Sequence, residues 1–211
     1  MGIGLFQLIT SALLPVILAV LFQYAESRTK FTEKSYWQKQ TVIGICFGIL
    51  AILSTEFSIE IGGAAINVRD AAPLTAGLIF GGPAGIIAGL IGGIERWFAA
   101  LWGVGIYTRL ACSLATILSG FLAAGVRRFL LDNKKASWTY GLAVGITMEV
   151  LHMLLIFLTN MTDIHHAFSL IRGCAFPMIT ANGLSVMAAA WCVSRLGKTK
   201  AMKSAGIRSV P

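Results

Sequence analysis

Apolar residues fill this chain in long runs, each closed by a short polar stretch. The runs at 3–24, 40–57, 106–126, 138–158 and 168–193 each predict a membrane-spanning helix. About 20 apolar residues rising 1.5 Å apiece cross a hydrocarbon core of about 30 Å. Pro15 predicts a kink in the first. A further apolar region, NVRDAAPLTAGLIFGGPAGIIAGLIGGIER at 67–96, is broken in its middle by Gly81, Gly82 and Pro83. Gly and Pro together are the strongest punctuation a sequence carries, and Pro suits the first turn of a helix. The pattern therefore predicts a hairpin, one helix over 68–80 and its return over 83–99. The expected fold is all-α, a polytopic membrane bundle of six to seven segments that includes this Gly-Pro hairpin. Its first arm is about 20 Å long against a core of about 30 Å, so it either starts deeper, from Gly63, or enters without fully spanning.

The hairpin brings two charged clusters to one end: Asn67, Arg69 and Asp70 before it, Glu95 and Arg96 after it. Gly81, Gly85, Gly89 and Gly93 recur every four residues and predict a stripe that lets a neighbouring helix approach closely.

Composition agrees with the pattern. Hydrophobic residues make up 56% of the 211 and charged residues 12%, against about 25% charged in soluble chains. The net charge of +8 carries no basic groove with interleaved polar residues, so no nucleic acid is expected as a partner. Cys46, Cys112, Cys174 and Cys192 fall in four separate apolar runs without a CxxC pair. They are expected to be small buried residues rather than disulfides or zinc ligands. The first ten residues lack a basic region and a small-residue cleavage site, and read as a retained helix.

Charge position sets the expected topology. Of 17 Lys and Arg residues, four lie at 25–39, four at 127–135 and five at 195–208. The positive-inside rule assigns all three regions to the cytoplasm. That requires an even number of crossings between the first two, which only a true reversal at Gly81–Pro83 provides. The N-terminus is then outside and the C-terminus cytoplasmic. Trp37, Trp138 and Trp191 fall at the inner interface on this reading, Trp97 and Trp102 at the outer one.

Four positive residues remain, all arginine: Arg69, Arg96, Arg109 and Arg172. The planar fork of arginine suits a carboxylate or phosphate. Ionisable groups within membrane segments are costly and mark function, so the four are expected to line an outward-facing site for a small anion, or to pair with internal acids. Glu149 and His152, three residues apart, share one helix face and are candidates for the same site. Asn182 is a polar position in the last run. His165 and His166 with Asp163 lack a third metal ligand, so no metal site and no cofactor are expected. No nucleophile–base pair, P-loop or metalloprotease motif is present, so no enzyme activity is expected within this chain.

The 67–97 stretch, followed by LACSLATILSGFLAAGV, resembles the membrane domain of LytS/YhcK-type bacterial sensors. Such domains share an N-x-R-[DE] start, a GP turn and a glycine-rich helix ending in a charged pair. Where family members often place His before the arginine, this chain has Glu95. The resemblance covers about 40–195, which divides the chain into an N-terminal helix and cytoplasmic loop (1–39), a sensor domain (40–195) and a basic cytoplasmic tail (196–211). It implies that Asn67, Arg69, Asp70, Glu95 and Arg96 belong to the signal-receiving region. It also implies a small carboxylate ligand such as pyruvate, a cytoplasmic output module such as a histidine kinase or diguanylate cyclase, and a homodimer in the bacterial cytoplasmic membrane. A more distant similarity, to substrate-binding components of energy-coupling-factor vitamin transporters, implies transport instead. Those components carry an AxxxA face on their first helix; here the spacing occurs at Ala72 and Ala76, in the third. Sensing is the favoured reading.

Overall fold

A computed structural model of the chain describes residues 2–28, 35–61, 64–101 and 105–204. Lys30, Lys34 and Trp102 of the expected basic loop and aromatic belt lie outside the described residues, as does the end of the tail. The described residues form helices α1 (Gly2–Arg28), α2 (Tyr36–Glu56), α3 (Ala71–Phe80), α4 (Gly82–Ala99), α5 (Arg109–Leu130), α6 (Trp138–Thr159) and α7 (Ile164–Ser204). Two three-residue strands, β1 (Ile59–Ile61) and β2 (Ala64–Ile66), pair antiparallel with Ile59 opposite Ile66. This ribbon, in the segment that leads to the hairpin, is the one departure from an all-helical bundle. Five helices, α1, α2, α5, α6 and α7, are long and apolar enough to cross a membrane.

The shortest helix is the hub. Around α3 the other six close a ring in the order α2, α4, α5, α6, α7, α1, and α3 touches all of them. Every residue of α3 is buried. The ring instead turns Leu13, Ile17 and Leu21 of α1, Leu118 and Phe121 of α5, and Leu154 and Leu158 of α6 outward, as an apolar solvent allows. Trp37, Trp97, Trp138 and Trp191 are also on the surface.

Glycines set the approach distances. A Cβ on Gly85 would meet the Gly77 Cα at 2.7 Å, and one on Gly89 the Thr116 carbonyl oxygen at 2.8 Å. One on Gly120 would run into the Gly85 carbonyl oxygen. Gly93 is closed by Ile117 and the Ser113 carbonyl. Gly85, Gly89 and Gly93 of the stripe thus face α3 and α5. The other side of α4 inserts Ile87 and Ile91 over Gly44 and Gly48 of α2.

A reversal inside a membrane leaves helix-end carbonyls and N–H groups that only protein can satisfy. Gln40 of α2 does this at the hairpin. Its Nε2 donates to the Phe80 carbonyl (3.1 Å), and its Oε1 accepts from the Ala84 N–H (3.1 Å). Arg127 and the Ala136 N–H both donate to the Leu78 carbonyl. Gly81 lies so close to Gln40 that a side chain there would collide with the amide. Replacing Gln40 by Leu is expected to cost about 1–3 kcal/mol, the usual penalty for stranding buried backbone groups, read as a lower unfolding midpoint in detergent or nanodiscs.

Against expectation, α7 runs 41 residues from Ile164 to Ser204 with Pro177 inside it. At about 1.5 Å per residue it is roughly 60 Å long, twice the hydrocarbon thickness. The expected span at 168–193 is only its apolar centre.

Candidate functional site

Before α3 the chain is not helical. Residues Asn67 to Asp70 form a loop and turn between β2 and α3, fully enclosed by the ring. The break arises because α3 begins only at Ala71. Its first N–H groups need acceptors, and Asn182 of α7 supplies one: Oδ1 accepts from the Ala71 N–H (2.9 Å), while Nδ2 donates to the Asn67 carbonyl (3.2 Å). The Asn67 side chain accepts from the Arg69 N–H (3.3 Å). Irregular backbone is tolerated at this depth when protein encloses and satisfies it.

The turn delivers Arg69 and Asp70 to the centre of the bundle, 0% and 1% exposed. Arg69 Nε donates to Thr116 Oγ1 of α5 (2.8 Å) and Nη1 to Thr55 Oγ1 of α2 (3.1 Å). Thr55 in turn donates to Glu95 Oε2 of α4 (3.2 Å). The two charged clusters at the ends of the hairpin are therefore joined through one threonine. Arg96 is buried on α4, with Nη2 on the Gly105 carbonyl (3.0 Å), and lies within electrostatic reach of Arg69 and Cys112.

A second layer lies behind Asp70. Its Oδ1 accepts from Thr116 (2.6 Å), with Arg69 Nε at 4.0 Å. Its Oδ2 faces His152 Nδ1 at 3.1 Å, and Glu149 Oε2 lies 3.5 Å from that same nitrogen. These are ion-pair distances without hydrogen-bond alignment. His152 Nε2 lies 3.3 Å from Cys112 Sγ. Glu149 and His152 are both fully buried.

Several polar atoms in this centre have no hydrogen-bond partner among the described residues: Arg69 Nη2, Arg96 Nε, Ser113 Oγ, Asp70 Oδ2, both Glu149 carboxyl oxygens and His152 Nδ1. Buried polar atoms are nearly always matched, so such a concentration at one place marks a site that something else completes.

Of the residues expected from sequence, Asn67, Arg69, Asp70, Glu95, Arg96, Glu149 and His152 come together. Arg109 and Arg172 do not. Arg109, at the start of α5, is stacked on the Trp97 ring at 3.9 Å. Arg172 is exposed on the outer surface of α7. The side of the helix that each occupies is set by packing, which charge does not report. Nor do His165 and His166 form a metal-ligand group with Asp163 among the described residues; the Asp163 carboxylate accepts from the His166 N–H instead. Thr55, Cys112, Ser113 and Thr116 were missed. The spacing of the last three along one stripe of α5 was the available signal, since small polar residues at three- and four-residue intervals share a face.

The family model described as 5TMR of 5TMR-LYT matches residues 23–195. The chain is 29% identical to the sensor histidine kinase YpdA of Escherichia coli K12 over 147 residues, covering 69% of this chain and 25% of that one. It is 29% identical to the sensor protein LytS of Staphylococcus epidermidis over 184 residues, 78% of this chain and 30% of that one. The sensor histidine kinase BtsS of E. coli K12 is 29% identical over 142 residues, 65% of this chain and 24% of that one. The chain thus spans between 24% and 30% of the length of these relatives. No solved structure matches it significantly. With the matched region running from the end of α1 into the C-terminal half of α7 and enclosing the whole buried centre, the chain belongs to the 5TMR-LYT family of multi-pass membrane domains.

Proposed function

We propose that this chain is the signal-input domain of a bacterial membrane receptor, and that it binds a small carboxylate from outside the cell. The relatives are sensor proteins and sensor histidine kinases, which supports sensing over the transport reading. One observation carries the ligand class. Arg69 Nη2 and Arg96 Nε, on two buried guanidinium groups, have no hydrogen-bond partner among the described residues, and Ser113 Oγ on α5, the residue after Cys112, has none either. Three unmatched groups able to donate, two of them cationic, suit a compact anion such as pyruvate.

On this reading the N-terminus is outside and the C-terminus cytoplasmic, following the basic residues at 25–39, 127–135 and 195–208. The ligand binds one arrangement of the glycine-packed helices better than another and so shifts their populations. Helix α7 passes the shift inward, since Asn182 holds the Asn67–Ala71 turn directly. Catalysis belongs to an output module such as a kinase or cyclase, working as a dimer; none is assigned to the membrane domain.

A thermal-shift series with pyruvate, other small monocarboxylates, phosphate and neutral vitamins tests this. A ligand at 100 times its Kd stabilises the fold by about 2.7 kcal/mol. A carboxylate is expected to raise the midpoint in the parent protein and to lose at least about tenfold in affinity in Arg69→Lys and Arg96→Lys, which keep charge but lose the fork. A shift with a neutral vitamin that survives both variants would favour transport. No shift with any anion would sink the carboxylate reading.

A further inference from the structure

We infer that Asp70, Glu149 and His152 form a binding site for a divalent first-row transition-metal ion. This goes beyond the anion reading and stands on different atoms. The donor atoms of the three lie within 4.8 Å of one another. His152 Nδ1 is 3.1 Å from Asp70 Oδ2 and 3.5 Å from Glu149 Oε2. Oxygen and nitrogen ligands bind zinc at about 2.0–2.2 Å, so donors sharing one ion are about 3–3.6 Å apart. The two measured edges already have that length.

The atoms that would ligate are also the unmatched ones. Asp70 Oδ2, His152 Nδ1 and both Glu149 oxygens lack a hydrogen-bond partner among the described residues, and all three side chains are at least 99% buried. A carboxylate with neither oxygen matched is costly inside a membrane bundle; one cation placed among the three satisfies Asp70 Oδ2, His152 Nδ1 and one Glu149 oxygen.

The surrounding contacts leave those atoms free. Thr116 occupies the other Asp70 oxygen, Oδ1, at 2.6 Å, and Arg69 Nε faces that same oxygen at 4.0 Å. Repulsion between guanidinium and metal is thus spread across the width of the carboxylate. Cys112 Sγ faces the other imidazole nitrogen, Nε2, at 3.3 Å. A proton on Nε2 directed at that sulfur leaves the Nδ1 lone pair free to bind, which is how outer contacts fix the tautomer of metal-ligating histidines. Two carboxylates and one imidazole favour zinc, manganese or iron over calcium or magnesium, which prefer all-oxygen sites. Spacing in the sequence did not reveal the site, because Asp70 is brought to the Glu149-x-x-His152 pair only by the fold.

Metal content of the full chain, purified in nanodiscs without chelator, gives the first test. Elemental analysis is expected to find about one transition-metal ion per chain. Stripping with a chelator should lower the unfolding midpoint, and Zn²⁺ or Mn²⁺, but not Mg²⁺, should restore it. Glu149→Gln, nearly isosteric, should bind Zn²⁺ at least about tenfold more weakly, and Cys112→Ser about 10–100-fold more weakly. The carboxylate thermal shift, read separately, reports on the anion site and not on this one. Two results would overturn the assignment. One is a metal-free protein whose midpoint ignores both chelator and Zn²⁺, which identifies the cluster as a histidine bridging two carboxyl groups. The other is Zn²⁺ binding as strong in Glu149→Gln and His152→Gln as in the parent protein, which places the ion elsewhere.

Discussion

Replacing Arg69 by Met is expected to destabilise the domain by about 3–5 kcal/mol, the cost of removing one partner from a buried charge pair. Methionine fills much of the volume, so the loss is electrostatic. Asp70 keeps its Thr116 bond but loses the guanidinium 4.0 Å from its Oδ1, and Thr55 and Thr116 lose a donor. The measurement is the unfolding midpoint in nanodiscs. The double variant Arg69→Met, Asp70→Asn should recover part of the loss, because it leaves no unpaired charge at that position. A double variant as damaged as the sum of the two single ones would show that the pair is not coupled.

The second large effect belongs to the glycine contact between α4 and α5. Gly120→Val is expected to block folding or cost at least about 1–3 kcal/mol, because its Cβ would collide with the Gly85 carbonyl, and backbone on a packed helix cannot yield as a side chain can. Gly125, five residues along the same helix, is the control. Nothing lies within 4 Å of a Cβ there, so Gly125→Ala should stabilise by about 0.4–1 kcal/mol through the unfolded chain. Folded yield and midpoint of the two variants together report whether the helices touch backbone to backbone. Equal effects at both sites would remove the contact from the account.

Much of this was legible in the chain. Gly81 and Pro83 announced the reversal, and the basic loops required it independently through their parity. Neighbouring polar residues in an apolar run pointed to Arg69, Asp70, Glu149 and His152, because uncompensated charge in such a run has few physical excuses. What escaped were facts of azimuth and long-range pairing. Nothing local in Gln40 says that it closes a hairpin 40 residues away. Nothing in Arg172 says that it faces outward while Cys174, two positions on, is buried. The short ribbon at 59–66 was hidden because three-residue strands have no periodicity to read.

The bond between Ala71 and Asn182 also bears on how the protein is made. The two residues are 111 positions apart, and at ribosomal speeds of about 5–20 residues per second the second follows the first by about 5–20 s. For that interval the Asn67–Asp70 turn lacks the Asn182 amide that ties its two ends in the folded chain. His152 and Glu149 arrive on α6, and Asn182 only on α7. The buried centre can therefore close around that turn only after α7 has been made, since both ends of the turn are tied to Asn182.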